Sequence, residues 1–312
     1  MGSVDRQKRQ HNTVDSRQYD EVWIRETWGW DTPEEFLRAQ GRNLRPRIRH
    51  ALGIASLQPG MRILDIGCGR GEVVLHCARE GVNAVGVDYS KEAIGLAERA
   101  KATHLPEERE RMHFICEDVK TLTFEAPFDR IFMLDLVEHL YDWELLELFA
   151  VCHRLLKSDG ALIIHTLPNR WLYEITYRRI VRLFLPWLPE NPRSQKEMTI
   201  HVNEMSITHL HRVLDQGEFS SEVWLQELLI EQAKWHSSHP LCDRRGKFYQ
   251  WLTKPFIGYA YSMLAATPLR LLIVNEMFAV AWERGCSCPI KVPDCLTEQL
   301  LIKFYSRKSP RG

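Results

Sequence analysis

Ile63-Leu64-Asp65-Ile66-Gly67-Cys68-Gly69-Arg70-Gly71 decides the fold: a short apolar run breaks into three alternating glycines. The run from Met61 to Ile66 has the length and composition of a parallel strand covered on both faces, and the glycines come where such a strand must turn sharply into a helix. Without Cβ atoms, Gly67, Gly69 and Gly71 can take positive φ and bring backbone N–H groups against a ligand, while Glu72 to Arg79 begins the next helix. The stretch therefore predicts a nucleoside-cofactor site at a strand-to-helix turn.

Spacing separates the cofactors. A dinucleotide fingerprint reads G-x-G-x-x-G/A, and counted from Gly67 its last position falls on Glu72, where the helix must sit close on the strand. A second strand, Asn83 to Val87, ends in Asp88, 21 positions after Gly67. That is near the roughly 20 that suit a carboxylate bonded to a ribose diol. Tyr89 and Ser90 share this strand end. His113 to Cys116 reads as a third strand leading into Glu117-Asp118-Val119, and Phe128 to Leu134 as a fourth leading into Asp135-Leu136-Val137-Glu138-His139-Leu140. A helix from Tyr141 to Lys157, a turn at Ser158-Asp159-Gly160 and a strand from Ala161 to Thr166 follow.

Asp65-x-Gly67-x-Gly69-x-Gly71 together with these strand-end acids resembles the class I S-adenosylmethionine-dependent methyltransferases. The segment Asp135 to Leu140 resembles their small-molecule, ubiquinone- and menaquinone-type subgroup, and the likeness covers residues 61–167. The resemblance implies that Asp65, Gly67, Cys68 and Gly69 surround the methionine portion of S-adenosyl-L-methionine. Asp88, with Tyr89 and Ser90, would take the ribose, and Asp118 the adenine amino group, with Val119 and Leu134 in the same cofactor site. The residues themselves leave plainer readings open: loop amides could satisfy Asp65, Asp88 could cap the helix near Ser90, and Asp118 could be solvated.

The implied fold class is α/β, a doubly wound, mostly parallel sheet of order 3-2-1-4-5-7-6 with strand seven antiparallel and added helical lid segments. Val223 to Leu229 is expected as strand six and Asn275 to Trp282 as strand seven. The organisation expected is an N-terminal helical lid (1–60), the cofactor-binding core (61–167), a substrate lid or insertion with a helix (168–222), and sheet completion with a C-terminal tail (223–312). In the lid, Pro33-Glu34-Glu35 opens a helix, Arg42, Arg45, Arg47 and Arg49 crowd one segment, and Tyr19, Trp23, Trp28 and Trp30 are candidates for an aromatic wall. Tyr173 to Trp187 is amphipathic and basic, as a lid or a membrane-surface helix would be. The insertion over about residues 232–272 is apolar, but Pro268 and Arg270 interrupt the run from Pro255 to Val274, so no transmembrane segment is expected. Three uses are open for it: covering a lipidic acceptor, peripheral membrane contact, or a homo-oligomer interface.

Composition narrows the rest. The 312 residues carry 41 Lys plus Arg against 41 Asp plus Glu, which supplies no field for nucleic acid, so no nucleic-acid partner is expected. Met1 to Tyr19 has no apolar signal-peptide core, and the eight cysteines are scattered as reduced thiols would be, so a cytoplasmic location is expected. Cys286, Cys288 and Cys295, with Cys242, lack the spacing of a standard zinc finger; they read as free thiols and no metal is expected.

Methyl transfer from a sulfonium needs chiefly a close, collinear nucleophile, and a base is required only if the acceptor must lose a proton. The candidate bases are His139, at the carboxyl end of strand four, then His165, then His201; Glu138 reads as touching solvent or a helix start. Strand four is not followed by the Asn/Asp-Pro-Pro-aromatic tetrapeptide of base- and glutamine-methylating enzymes, nor by a Pro-Cys pair. The expected activity is methylation of an O or N atom of a small-molecule or lipidic metabolite, as in secondary metabolism. The competing expectation is a catalytically silent S-adenosylmethionine-binding scaffold at a partner or membrane surface.

Overall fold

The computed structural model describes residues 32–237, apart from Pro192 and Ser194, and residues 254–306. The expected aromatic wall of Tyr19, Trp23, Trp28 and Trp30, the Cys242 thiol and the segment Phe248 to Leu252 lie outside the described residues. Seven strands form one sheet of order β3-β2-β1-β4-β5-β7-β6. They are β1 (Arg62–Ile66), β2 (Asn83–Asp88), β3 (Met112–Cys116), β4 (Phe128–Leu134), β5 (Leu156–Thr166), β6 (Phe219–Gln226) and β7 (Glu276–Glu283). β7 runs antiparallel to both β5 and β6 and all other pairs are parallel, as the resemblance implied. Because β1, β4 and β5 are covered on both faces, their central residues Ile63-Leu64, Ile131-Phe132-Met133 and Ala161 to Ile164 are apolar without alternation, and a separate hydrophobic layer fills each side of the sheet.

Gly67, Gly69 and Gly71 all take positive φ (73°, 53° and 85°), and the amides of Gly67 and Cys68 bond back to the Val87 carbonyl at the end of β2. At Gly71 the constraint is doubled: a Cβ would stand 2.6 Å from the Phe114 ring in addition to the unfavourable φ.

Two boundaries differ from the sequence expectation. β5 starts at Leu156 rather than Ala161, so Ser158-Asp159-Gly160 is a kink inside the strand instead of a turn before it, and its register against β4 shifts between Phe128 and Arg130. Gly160 permits the kink, since a Cβ there would meet Leu156 at 2.7 Å. β6 occupies Phe219–Gln226 rather than Val223 to Leu229: Glu218 reverses the chain in a left-handed conformation, while Leu229 already opens the helix Leu229–Ser237.

Thr32 and Glu35 close a reciprocal capping box on the helix Pro33–Ala39. The following helix, Pro46–Ala55, lays Ile48, Ala51, Leu52 and Ala55 on one face of the sheet. Beyond the carboxyl edge of β5 lie the wide, π-type turns of Leu172–Val181 and the helices Pro255–Ala265 and Arg270–Ile273. They are joined by Thr176 Oγ1 donating to Leu272 O, and by Asn169 Nδ2 donating to Leu271 O and Val274 O. Large apolar side chains of this cover face outward: Trp187 is 75% exposed and Phe256 83%, with Leu183, Phe184, Tyr259 and Met263 also exposed. No helix among the described residues is long and apolar enough to cross a membrane.

Gly71→Ala should lower unfolding stability by about 2–4 kcal/mol, combining the left-handed penalty with overpacking against Phe114. Chemical denaturation measures it, and a loss under about 1 kcal/mol would mean that the loop relaxes freely.

Candidate active site

Asp65 ends up buried beneath the glycine loop, and its carboxylate accepts no side-chain or loop hydrogen bond among the described residues. Burial first, and then the nearby Asp88 and Glu72 charges, push its pKa well above the ordinary carboxylate value. Such a group calls for a cationic or N–H partner, which the ammonium of a bound methionine moiety would supply. S-adenosylmethionine therefore fits these residues.

Asp88 already has backbone partners. Its Oδ2 accepts from Gly69 N (2.9 Å) and its Oδ1 from Ser90 N (2.8 Å), so it ties the end of β2 to the glycine loop. Each oxygen has a further lone pair with which to meet a ribose hydroxyl. Ser90 caps the helix Lys91–Ala102 through Ala93 N, and Tyr89 beside it is exposed. Asp118 is exposed and caps the short turn Val119–Thr121 through Lys120 N (2.9 Å), with Val119 buried behind it and Leu134 partly buried at the end of β4. Cys68 is buried against Gly86; burial raises its thiol pKa, which makes it a packing group rather than a nucleophile.

A chain of charge crosses the same sheet edge, buried at His165 and Glu276 and half-buried at Arg47 and Asp135. Arg47 Nη2 pairs with Asp135 Oδ2 (2.7 Å), His165 Nδ1 donates to Asp135 Oδ1 (2.5 Å), and His165 Nε2 donates to Glu276 Oε2 (2.6 Å). Gln232 Nε2 then donates to Glu276 Oε1 (2.6 Å). Burial alone would lower the His165 pKa, but the Asp135 carboxylate and the bonds to Asp135 and Glu276 raise it to about 9. Burial would likewise raise Asp135, but Arg47 and then His165 hold it below the usual range. With both ring nitrogens donating and no exposed surface, His165 is an internal cation, not a group positioned to take a proton from an acceptor.

Glu138, His139 and His201 form a second cluster. Glu138 is shut off from solvent, at 1% exposed, and of the two expected settings it takes the helix start: it sits in the single turn Val137–His139, where its carboxylate accepts from its own backbone amide and from Thr166 Oγ1 (2.8 Å). Burial and then the Asp135 charge push its carboxyl pKa up to about 8. His139 Nδ1 donates to Ile200 O (3.0 Å), and its ring meets that of His201 edge-on at 4.9 Å. Burial and the neighbouring His201 lower its pKa to about 4, so it is neutral but a weak base. His201 in turn lies 3.9 Å from Glu204, and Asn203 N donates to the Glu138 carbonyl. Sequence reasoning thus singled out three histidines, which the fold divides between two networks, and it missed Arg47, Asp135, Glu276 and Gln232 as members of one charge chain. No local signal marks it: Asp135 follows β4, His165 lies near the end of β5 and Glu276 opens β7, and only the long-range pairing of β5 with both neighbours brings them together. The tail cysteines form no metal cluster among the described residues: Cys286 is exposed, Cys288 half-buried and Cys295 buried beside Glu222.

Two changes probe these assignments. Asp65→Asn should raise the melting temperature of the cofactor-free protein, because an unpaired buried charge is removed, and should weaken S-adenosylmethionine binding about ten- to a hundredfold. Calorimetry in which both quantities move the same way would oppose the ammonium assignment. The raised His165 pKa contributes stability that is complete below its unfolded value of about 6.5 and is lost as pH rises through about 9. Melting temperatures of the wild type and His165→Gln should therefore lie furthest apart near about pH 6 and draw together towards about pH 10. A gap independent of pH would mean that the ring is neutral in the fold.

The chain matches the family described as mycolic acid cyclopropane synthetase over residues 31–191, just over half of its length. Cyclopropane mycolic acid synthase 1 of Mycobacterium tuberculosis is 31% identical over 139 residues, which cover 44% of this chain and 47% of that protein. The ubiquinone biosynthesis O-methyltransferase of Dechloromonas aromatica is 30% identical over 164 residues, covering 50% and 66%. The chain thus spans about half the length of the curated synthases it matches. Among solved structures, mycolic acid cyclopropane synthase CmaA1 complexed with SAH and CTAB superposes with a TM-score of 0.53 at 23% identity, over 75% of this chain and 82% of that one. Phosphoethanolamine N-methyltransferase 2 of Haemonchus contortus with S-adenosyl-L-methionine gives 0.52 at 19%, over 88% and 61%. These two support the fold. The ubiquinone-type enzymes that the motifs resemble are relatives at low identity, and the family match falls elsewhere within the same class: the chain belongs to the mycolic acid cyclopropane synthetase family of S-adenosylmethionine-dependent methyltransferases, whose cofactor is S-adenosyl-L-methionine.

Proposed function

We propose that this protein transfers the methyl group of S-adenosylmethionine to an oxygen or nitrogen atom carried by a lipidic metabolite. The observation that carries the reading is one of position. The glycine loop with its unpaired Asp65, the Glu138–His139–His201 cluster and an outward-facing apolar cover all stand at the carboxyl edge of one sheet, where open α/β folds bind ligands. Leu183, Phe184, Trp187, Phe256 and Met263 on that cover suit an acyl chain, and the lipid named for the cyclopropane synthases agrees with them.

When bound, S-adenosylmethionine supplies an electrophilic methyl group on sulfur. Asp65 holds the methionine ammonium and Asp88 the ribose, which fixes the cofactor against the glycine loop. The π-type turns Leu172–Val181 and the helix Pro255–Ala265 hold the acyl chain and exclude water from its polar end. That end meets Glu138, whose raised pKa of about 8 lets it take a proton from a hydroxyl or amine that loses one during transfer. The Arg47–Asp135–His165–Glu276 chain positions β4, β5 and β7 around this point without touching the acceptor.

A second reading is favoured by the family match: the methyl carbon is delivered to an alkene of the acyl chain. There the bound cofactor would supply its methyl carbon to the alkene, whose π electrons would form the first C–C bond while the sulfur left with the C–S pair. A C–H bond of the added methyl then gives its proton to Glu138 and its electron pair to the second ring bond.

The two readings separate with cofactor trideuterated at the methyl, incubated with purified protein and lipid extracts and followed by mass spectrometry. Retention of all three deuterium atoms on oxygen or nitrogen is expected; retention of two on carbon would replace the first reading with the second. Cofactor binding with no labelled lipid or metabolite from any extract would favour the silent scaffold instead.

A further inference from the structure

We propose that Glu138, His139 and His201 bind one divalent transition-metal ion. Each offers a ligand atom, and these atoms all lie within 4.8 Å of one another, so small rotamer changes bring them to metal-ligand spacing. Two imidazoles and one carboxylate form a donor set suited to zinc, iron or manganese rather than to calcium, which prefers oxygen alone.

The surroundings are those of a built site. The Ile200 carbonyl can only accept, so His139 Nδ1 carries the proton and Nε2 carries the lone pair that a metal requires. Thr166 Oγ1 donates to Glu138 Oε2 and orients the carboxylate, while Glu204, itself paired with Arg193, stands beside His201 Nδ1. Outer partners of this kind fix tautomer and direction at metal centres. The two segments that supply the ligands are pinned together: Asn203 N donates to Glu138 O, and Asn203 Nδ2 donates to Leu140 O (2.9 Å) and Asp142 Oδ1 (2.8 Å).

A buried glutamate beside two histidines is otherwise hard to account for. As a purely structural trio it would keep a carboxyl 1% exposed with only its own backbone amide and one hydroxyl as donors, at the carboxyl edge of the sheet. With a cation present the carboxylate is ionised and paired. The inference rests on the methyl-transfer reading for its use and changes the part Glu138 plays in it from proton acceptor to ligand: the metal would bind the acceptor's oxygen and lower its pKa, so that the proton leaves to water and the nucleophile forms without a strong protein base. Metal binding itself is independent of that reading. It also departs from the sequence, in which the tail cysteines were the only group considered for a metal.

The test uses the full chain, stripped with chelator and titrated with cobalt(II) while visible absorption is recorded. One equivalent should bind with ligand-field bands and without a thiolate charge-transfer band. Glu138→Gln, His201→Gln and Thr166→Val should each weaken cobalt binding about tenfold or more, while S-adenosylmethionine affinity stays unchanged. Thr166→Val is nearly isosteric and guards against failure of the ligand variants to fold. Absence of bands, equal binding in all variants, or a thiolate band from the tail cysteines would overturn the proposal. The deuterium experiment reports separately on the function: labelled product from metal-free protein lacking cobalt bands would sink the metal alone, whereas cobalt bound at one equivalent without any O- or N-methylated product would sink the reading and leave the metal site standing.

Discussion

His165 donates to a carboxylate from each ring nitrogen, and through those two bonds the carboxyl edge of the sheet is tied to the elements that cover it. Asp135 brings in Arg47 from the helix Pro46–Ala55, and Glu276 brings in Gln232 from the helix Leu229–Ser237. Five charged or polar groups from separate parts of the chain thereby meet where no water reaches the imidazole. Buried charge is costly unless paired, so any displacement of one element leaves an uncompensated ion in the interior. That sensitivity fixes the relative positions of β4, β5 and β7 more sharply than apolar packing alone would. Asp135 accepts a left-handed backbone conformation (φ 55°) as part of this arrangement.

Around this fixed centre the molecule divides its work by side. Towards β1 and β2, glycine backbone and the acids Asp65 and Asp88 form a polar cradle suited to the cofactor. Towards β5 and β7, an apolar cover rests on the sheet edge through a few backbone carbonyls, held by Asn169 and Thr176. Glu138, His139 and His201 stand between the two. The polar cradle agrees with a family whose cofactor is S-adenosyl-L-methionine.

Individual residues show what could be read in advance. The positive φ of Gly67, Gly69 and Gly71 and the strand positions of Asp65 and Asp88 were legible because they are local: strand, turn and helix follow one another within some thirty residues, and positive φ admits glycine. The strand order was legible through resemblance. The kink at Gly160 was not, because it depends on Leu156 pairing with Phe128 across the sheet. The start of β6 was misplaced by four residues, since the polar Ser220-Ser221-Glu222 become strand only through their pairing with β7. His165 looked like a base from its strand end, and only the carboxylates on either side make it a cation.

What the sequence by itself determined was the class of fold and the cofactor, because both depend on short-range patterns: apolar runs of strand length, glycines at a turn, acids at strand ends. What only the tertiary structure decided was the ionisation of the side chains gathered at the carboxyl edge of β4, β5 and β7. Asp135 and Glu276 are 141 positions apart and share one imidazole, and His139 and His201 are 62 apart and touch. The ionisation of a side chain is set by the charges and the water around it, and in a folded chain those neighbours are chosen by the sheet, not by the sequence on either side.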